Sequence, residues 1–381
     1  MTSICLSPSG LEKWAAAWPP EALLTATTDG IVRLEHDAAS GRWQVVSCAL
    51  SGLHISSLLR ESRSGVLFAG VHGEGLYRSL DDGHTWGAAM TGLRQTHVFC
   101  LACVEGPAGV TVYAGTEPAY LYRSRDLGGT WEELPALRRV DGHDKWSFPA
   151  PPHLAHVKHI ACDPQDGKRM FVCIEQGALL RSDDGGESFR EVQFQDRSFR
   201  RHNDAHRIVF NPWHCAEVCL VSGEGVSRSP DGGETWQRLT TPAMRISYPD
   251  GCCYSPEEHG VLFVAGSGTT PDEWRRTGDA AGALACSRDN GCTWSQVHEG
   301  LPRSLAGNIE ALSLVVWPGG FGFFAGTTDG DIFHSRDKGR NWTRIAAGLP
   351  PVSKCIHHRN LAEGRARALQ VRMAGLQAMR F

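Results

Sequence analysis

One short stretch, Ser-x-Asp-x-Gly-x-Thr-Trp, is written six times along this 381-residue chain and constrains its fold more than any other feature. It reads SLDDGHTW at Ser79–Trp86, SRDLGGTW at Ser124–Trp131, SDDGGESF at Ser182–Phe189, SPDGGETW at Ser229–Trp236, SRDNGCTW at Ser287–Trp294 and SRDKGRNW at Ser335–Trp342. A degenerate copy, EHDAASGRW, ends at Trp43, so the motif recurs roughly every 43 to 58 residues, the period of a propeller blade. Each copy reads as a hairpin turn. Ser and Asp oxygens accept backbone N–H groups inside it, Gly supplies a positive φ, and the Trp folds back to pack between blades.

The strands are counted outward from each turn. HISSLLRE, GVLFAGV and GLYRS precede the first full copy, and the same order repeats through NIEALSLVV, FGFFAGT and DIFHS before the last. The N-terminal segment ALLTATTDGIVRLEHDAASGRWQVV shows only three strands. A strand from VSKCIHHRNL or ALQVRM near the C-terminus is expected to supply the fourth and close the ring, since closure removes free sheet edges. The expected fold is therefore all-β, a seven-bladed propeller of four-stranded blades, with six blades as the alternative. One domain over 1–361 is followed by a basic tail, 362–381, with Leu369, Met373 and Leu376 at helical spacing among Arg365, Arg367, Arg372 and Arg380.

The repeated turn is the Asp-box, or BNR repeat, and the chain resembles the Asp-box propellers, a group that includes sialidases, sortilin-type receptors, xyloglucan hydrolases and photosystem II assembly factors. The resemblance covers nearly the whole chain. It implies architecture rather than activity, because that group mixes enzymes, receptors and scaffolds on one frame.

Composition narrows the classes. A net charge of −4 without a basic stripe argues against nucleic acid, and no stretch is long and apolar enough to span a bilayer. The N-terminus lacks a signal-peptide core, and thirteen cysteines without framework spacing suit a reducing compartment, so a cytoplasmic location is expected. Cys100 and Cys103 form a CxxC whose spacing sends them to opposite faces of a strand, which argues against a redox pair.

Aligning the inner strands places His54, His97, His156, Asp204, Tyr248 and Asn308 at one ring position. Ser56, Phe99, Lys158, His206, Asp250 and Glu310 follow two residues on. His72, Glu117 and Glu175 end the second strands near the same rim. Three long insertions, carrying Trp146 and Phe148, Arg201, and Trp274, should surround that mouth with a pocket completed by Tyr248. Imidazoles at one ring position suit a transition metal, Fe, Zn, Cu or Ni. His54, His97, His156 and His206 are the candidate ligands, with Glu117, Glu175 and His72 orienting them. Asp204, Asp250, Glu310 and Lys158 are the candidate acid–base groups, acting on a small polar substrate. His84, His214, His259, His298 and His334 are expected at the surface. Two other readings stay open: a non-catalytic scaffold with a watered polar channel, and a glycoside hydrolase of sialidase type, for which the Arg-Ile-Pro signature is missing.

Overall fold

The computed structural model describes residues 3–10, 13–106, 109–194, 204–354 and 356–378. Seven sheets form the blades of a propeller, taken in chain order from blade 1 at the N-terminus to blade 7. Six blades follow one grammar. In blade 3, for example, His97–Gly106 is innermost, Gly109–Glu117 and Leu121–Ser124 follow antiparallel, and Glu132–Glu133 is outermost.

The Asp-box hairpins are built alike. In the second box Ser124 Oγ donates to Asp126 Oδ1 at 2.7 Å and accepts Gly128 N–H at 2.8 Å. Asp126 also accepts Thr130 N–H at 2.9 Å and its hydroxyl at 2.7 Å. Gly128 sits at φ 77°, where a side chain would be strained and a Cβ would meet Phe68. In the last box Asn341 replaces Thr, and its Nδ2 donates to Asp337 Oδ2 at 2.6 Å. The boxes also join blades: Trp131 Nε1 donates to Ala89 O, 2.9 Å away beside blade 2, and Arg78 reaches Leu127 O of blade 3.

Closure differs from the expected route. Blade 1 completes itself with Ile4–Leu6, which pairs in parallel with Ala22–Thr27, so neither VSKCIHHRNL nor ALQVRM becomes an inner strand. A second short strand, Lys13–Ala15, adds inside blade 7 in parallel with Ile309–Trp317. Both leave a segment too short for a period-two pattern to show in the sequence. The C-terminal stretch instead turns into helix α2, His357–Ala378, which packs beside helix α1, Pro271–Thr277, in the blade 6 insertion. Arg365 joins the two, donating to Gly278 O at 3.0 Å and to Asp329 at 2.8 Å. Leu369 is exposed, while the side chains of Arg372, Met373 and Leu376, and Arg380 altogether, lie outside the described residues. His334 is buried rather than superficial, stacked on Phe324 with ring centroids 4.2 Å apart and edged by Trp43. Cys100 and Cys103 pack into different apolar clusters, on opposite faces of their strand, and both are free thiols.

Replacing Trp131 by Ala removes a buried indole shared by blades 2 and 3 together with its hydrogen bond to Ala89. A loss of about 3–5 kcal/mol in urea unfolding is expected, whereas an unchanged midpoint would show that the box Trp does not join blades.

Candidate functional site

A β-bulge recurs at one place in six inner strands. The register slips between Ile55 and Ser57, Val98 and Cys100, Val157 and His159, Ala205 and Arg207, Pro249 and Gly251, and Ile309 and Ala311. The skipped residues are Ser56, Phe99, Lys158, His206, Asp250 and Glu310, the second ring position read from the sequence. A bulge frees one residue from the ladder and re-aims its side chain. Four of the six are ionisable and buried, and they meet at the channel mouth.

What they meet is a chain in which imidazole or ammonium groups alternate with carboxylates. His97 Nδ1 lies 3.5 Å from Glu117 Oε1, and Glu117 Oε2 lies 3.3 Å from His156 Nδ1, too poorly aligned for a hydrogen bond. His156 Nε2 contacts Glu175 Oε2 at 2.5 Å, and the Lys158 ammonium sits on the other Glu175 oxygen. His206 continues the line, with Nδ1 donating to Pro249 O at 2.8 Å and Nε2 standing 3.4 Å from Asp204 and 3.8 Å from Glu175. Asp250 takes the Lys354 ammonium on one oxygen and Asn308 Nδ2 on the other at 2.6 Å. Glu310 accepts Lys354 N–H at 2.9 Å and pairs with His357.

Partners override burial here. Burial alone would raise Glu175, but Lys158 and His156 hold its carboxyl well below the usual range. Burial would lower Lys158 and His156, yet the neighbouring carboxylates raise both. Asp250 and Glu310 are likewise lowered against the effect of burial, by Lys354 and His206 in one case and by His357 in the other.

The other half of the mouth is open. A pocket of about 200 Å³ is lined by His54, His72, His97, Glu117, Phe148 and Arg359, with Ala150, Pro151, Pro152, Leu154 and Ile356 completing the wall. His54 Nε2 and His72 Nε2 each lie 2.6 Å from a backbone carbonyl, Ser353 O and Lys354 O. A carbonyl only accepts, so each Nε2 carries the hydrogen and each Nδ1 keeps a lone pair with no hydrogen-bond partner among the described residues. Burial lowers the pair to about 4 and about 3, so both rings are neutral at pH 7. Glu117, held by His156 and His97 against burial, is pushed down to about 2 and stays ionised. Arg359 is exposed at the lip and has no acidic partner among the described residues.

The four candidate metal ligands are thereby divided. His54 and His97 line the pocket, whereas His156 and His206 are enclosed among carboxylates. Donor atoms gather within 4.8 Å in two clusters among the described residues, Glu175–Asp204–His206 and Asp250–Glu310–His357. In each an ammonium already occupies a carboxylate oxygen, Lys158 in the first and Lys354 in the second. His72, read from sequence as a support, is a full pocket wall. Phe148 lies 5.1 Å from His156, but Trp146 packs against the blade 4 core. Tyr248 and Trp274 are buried under α2 with Leu361, and Arg201 lies outside the described residues. His357 or His358 is expected from the sequence to join the ring histidines, and His357 does reach Glu310, whereas Lys354 and Arg359 are not singled out as site residues. They come from the C-terminal segment, which carries no repeat to mark its place.

Six hydrogen-bonded boxes on seven blades, six of them four-stranded and one five-stranded, decide the architecture. The chain is an Asp-box β-propeller. No family model matches it. Among curated proteins, xyloglucanase Xgh74A of Acetivibrio thermocellus is 26% identical over 227 residues, 51% of this chain and 26% of that protein. A Paenibacillus xyloglucanase is 24% identical over 221 residues, 49% of this chain and 20% of that protein. This propeller thus spans about a quarter or less of the length of those relatives. Among solved structures, an ancestral GH74 enzyme superposes with TM-score 0.59 at 20% identity, over 76% of this chain and 38% of that one. The WD40 propeller domain of Doa1 gives TM-score 0.55 at 13% identity, over 87% and 95%. Both likenesses show the fold.

Two outcomes follow for the mouth. His54 and His72 bind protons more weakly folded than unfolded, so their contribution to stability is present above pH 6.5 and is lost as the pH falls through 4. For His54 this amounts to about 3 kcal/mol, and urea unfolding between pH 7 and 4.5 should show a shallower slope for His54→Gln. An identical slope would contradict the neutral assignment. Lys158→Met strands the buried Glu175 carboxylate and should cost about 3–5 kcal/mol; addition of Glu175→Gln should recover part of it, and no recovery would mean that the pair does not act as a unit.

Proposed function

We propose that the pocket is an enzyme site for a small anionic molecule, with His97 as the acid–base group. Arg359 supplies the counter-charge at the lip. Glu117 stands behind His97 at Nδ1, 3.5 Å away, the arrangement that orients an imidazole base and stabilises its charged form. Phe148 with Pro151, Pro152 and Leu154 walls one side with apolar groups. The observation that carries this reading is the pairing of an unpartnered Arg359 with a carboxylate-backed His97 in one pocket. The xyloglucanase relatives support a carbohydrate-derived ligand, so an acidic sugar is the class favoured. A two-carboxylate glycosidase needs one carboxyl group held protonated near neutral pH. Every mouth carboxyl group whose shift is resolved is lowered, and this favours imidazole over carboxylic acid as the proton donor.

A second reading, a transition metal in the same pocket, is supported by the free Nδ1 lone pairs of His54 and His72, whose rings lie 4.3 Å apart. Neutral imidazoles suit Fe(II), Zn, Cu or Ni. With His97 they form the set that would hold the ion, whereas in each buried cluster a lysine already occupies a carboxylate oxygen.

Titration calorimetry with glucuronate and glucose on untagged, chelator-washed protein tests both readings. Glucuronate should bind and glucose should not, and Arg359→Ala should weaken glucuronate about tenfold to a hundredfold, as expected for a hydrogen bond to a charged group. Equal binding of the two sugars, or none of either, would end the anion assignment. About one equivalent of metal by elemental analysis, reduced in both His54→Ala and His72→Ala, would establish the metal reading; no uptake of added Zn or Fe(II) would remove it.

A further inference from the structure

The channel has a second end with different chemistry. The N-terminal segment crosses its middle, where Ser9 N–H donates to Ser56 O at 3.2 Å and Ser57 Oγ donates to Ser9 O at 3.0 Å. The Arg207 guanidinium clamps the segment through Pro8 O at 2.6 Å and Gly10 O at 3.3 Å. The charged mouth lies on one side of this crossing. On the other, the far ends of the inner strands of blades 3 to 7 enclose a cavity of about 430 Å³.

Its walls are apolar, formed by Val104, Ile160, Ile208, Val209, Phe210 and Leu314. Burial pushes the Cys103 thiol up to about 12 and raises Cys162 as well, so both line the cavity as small apolar groups rather than nucleophiles. The polar groups at its edge are already engaged. Glu105 pairs with Arg63 at 2.8 Å, and the Tyr254 hydroxyl donates to Glu217 at 3.2 Å. Lys13 is different. It begins the strand laid inside blade 7, lines the cavity, and has no acidic partner among the described residues.

A cavity of ligand size with aliphatic and aromatic walls and a single uncompensated cation selects for a molecule that is apolar along its length and anionic at one end. A sugar is excluded by the lack of free polar groups to pair its hydroxyls. We propose that this end of the channel binds a medium-chain aliphatic carboxylate, with the chain among Ile160, Ile208, Phe210 and Leu314 and the carboxylate on Lys13 Nζ. The site is separate from the His97 pocket, and the N-terminal crossing lies between them.

Titration calorimetry with dodecanoate and dodecanol, below their aggregation limits, tests the proposal. Dodecanoate should bind saturably at one equivalent, and Lys13→Met should weaken it about tenfold or more, to the level at which dodecanol binds the unmodified chain. Val104→Trp, at the half-buried rim, should occlude the cavity and abolish binding with the thermal melt unchanged. His97→Ala should leave dodecanoate binding as it was, which separates this site from the pocket at the mouth. Lys13→Met folds whatever becomes of the Trp variant, since Lys13 lies at an exposed position. Absence of dodecanoate binding, or binding indifferent to Lys13→Met, would overturn the proposal.

Discussion

Six bulges at one repeated position bring charge into the centre of this propeller, and the rest of the mouth is arranged around that charge. A bulge interrupts the ladder and turns a side chain that would otherwise follow the pleat. Here it delivers Lys158, His206, Asp250 and Glu310 to the channel, where an unpaired ion would be costly. Each therefore has an opposite partner within contact distance. Two of those partners come from outside the repeats: Lys354 on Asp250, and His357 on Glu310. The C-terminal segment is held at the mouth by charge, and its carbonyls at Ser353 and Lys354 then set the tautomers of His54 and His72. One device thus determines the protonation of the pocket, the seat of α2 and the side on which the channel remains open.

The outer rim works by the opposite logic. While a box Trp such as Trp131 reaches the neighbouring blade, the Ser, Asp, Gly and Thr hydrogen bonds of each box are short-range, lying within five residues of one another. This is why the architecture was legible: a motif satisfied locally must be written locally, and six copies at blade spacing left little else for the chain to be. The ring positions were legible for a related reason, because a repeat lets one inner strand be laid on the next. His54, His97 and His156 fell at one level, and the bulged residues fell at the next.

What could not be read lies where the repeat ends. Ile4–Leu6 is three residues long and pairs in parallel, so it shows neither alternation nor a turn to its partner. Lys354, His357 and Arg359 stand in no aligned register, although they complete both the buried charge chain and the pocket. The bulges themselves left no mark in the pattern, and without them the second ring could be listed but not aimed. His334 was misplaced because an outer-strand position reads as superficial, whereas the sparse N-terminal blade offers Trp43 to cover it. Trp274 looked like a pocket wall because it sits in an insertion; the capped helix α1 turns it inward against Tyr248 and Leu361.

The division of the mouth also decides what kind of chemistry it supports. In each buried cluster an ammonium already sits on a carboxylate oxygen, and a divalent ion entering there would have to displace Lys158 or Lys354. The open pocket is the reverse case: neutral imidazoles, one ionised carboxylate behind a histidine, and an arginine without an acidic partner among the described residues. On the reading proposed above, an anion entering past Arg359 would meet His97 with Glu117 already ionised behind it. The buried half gives this arrangement its stability. Glu117 lies between His97 and His156, and His156 is fixed in turn by Glu175 and stacked 3.9 Å from Phe99, so the pocket's one ionised carboxylate is itself held in place by buried groups.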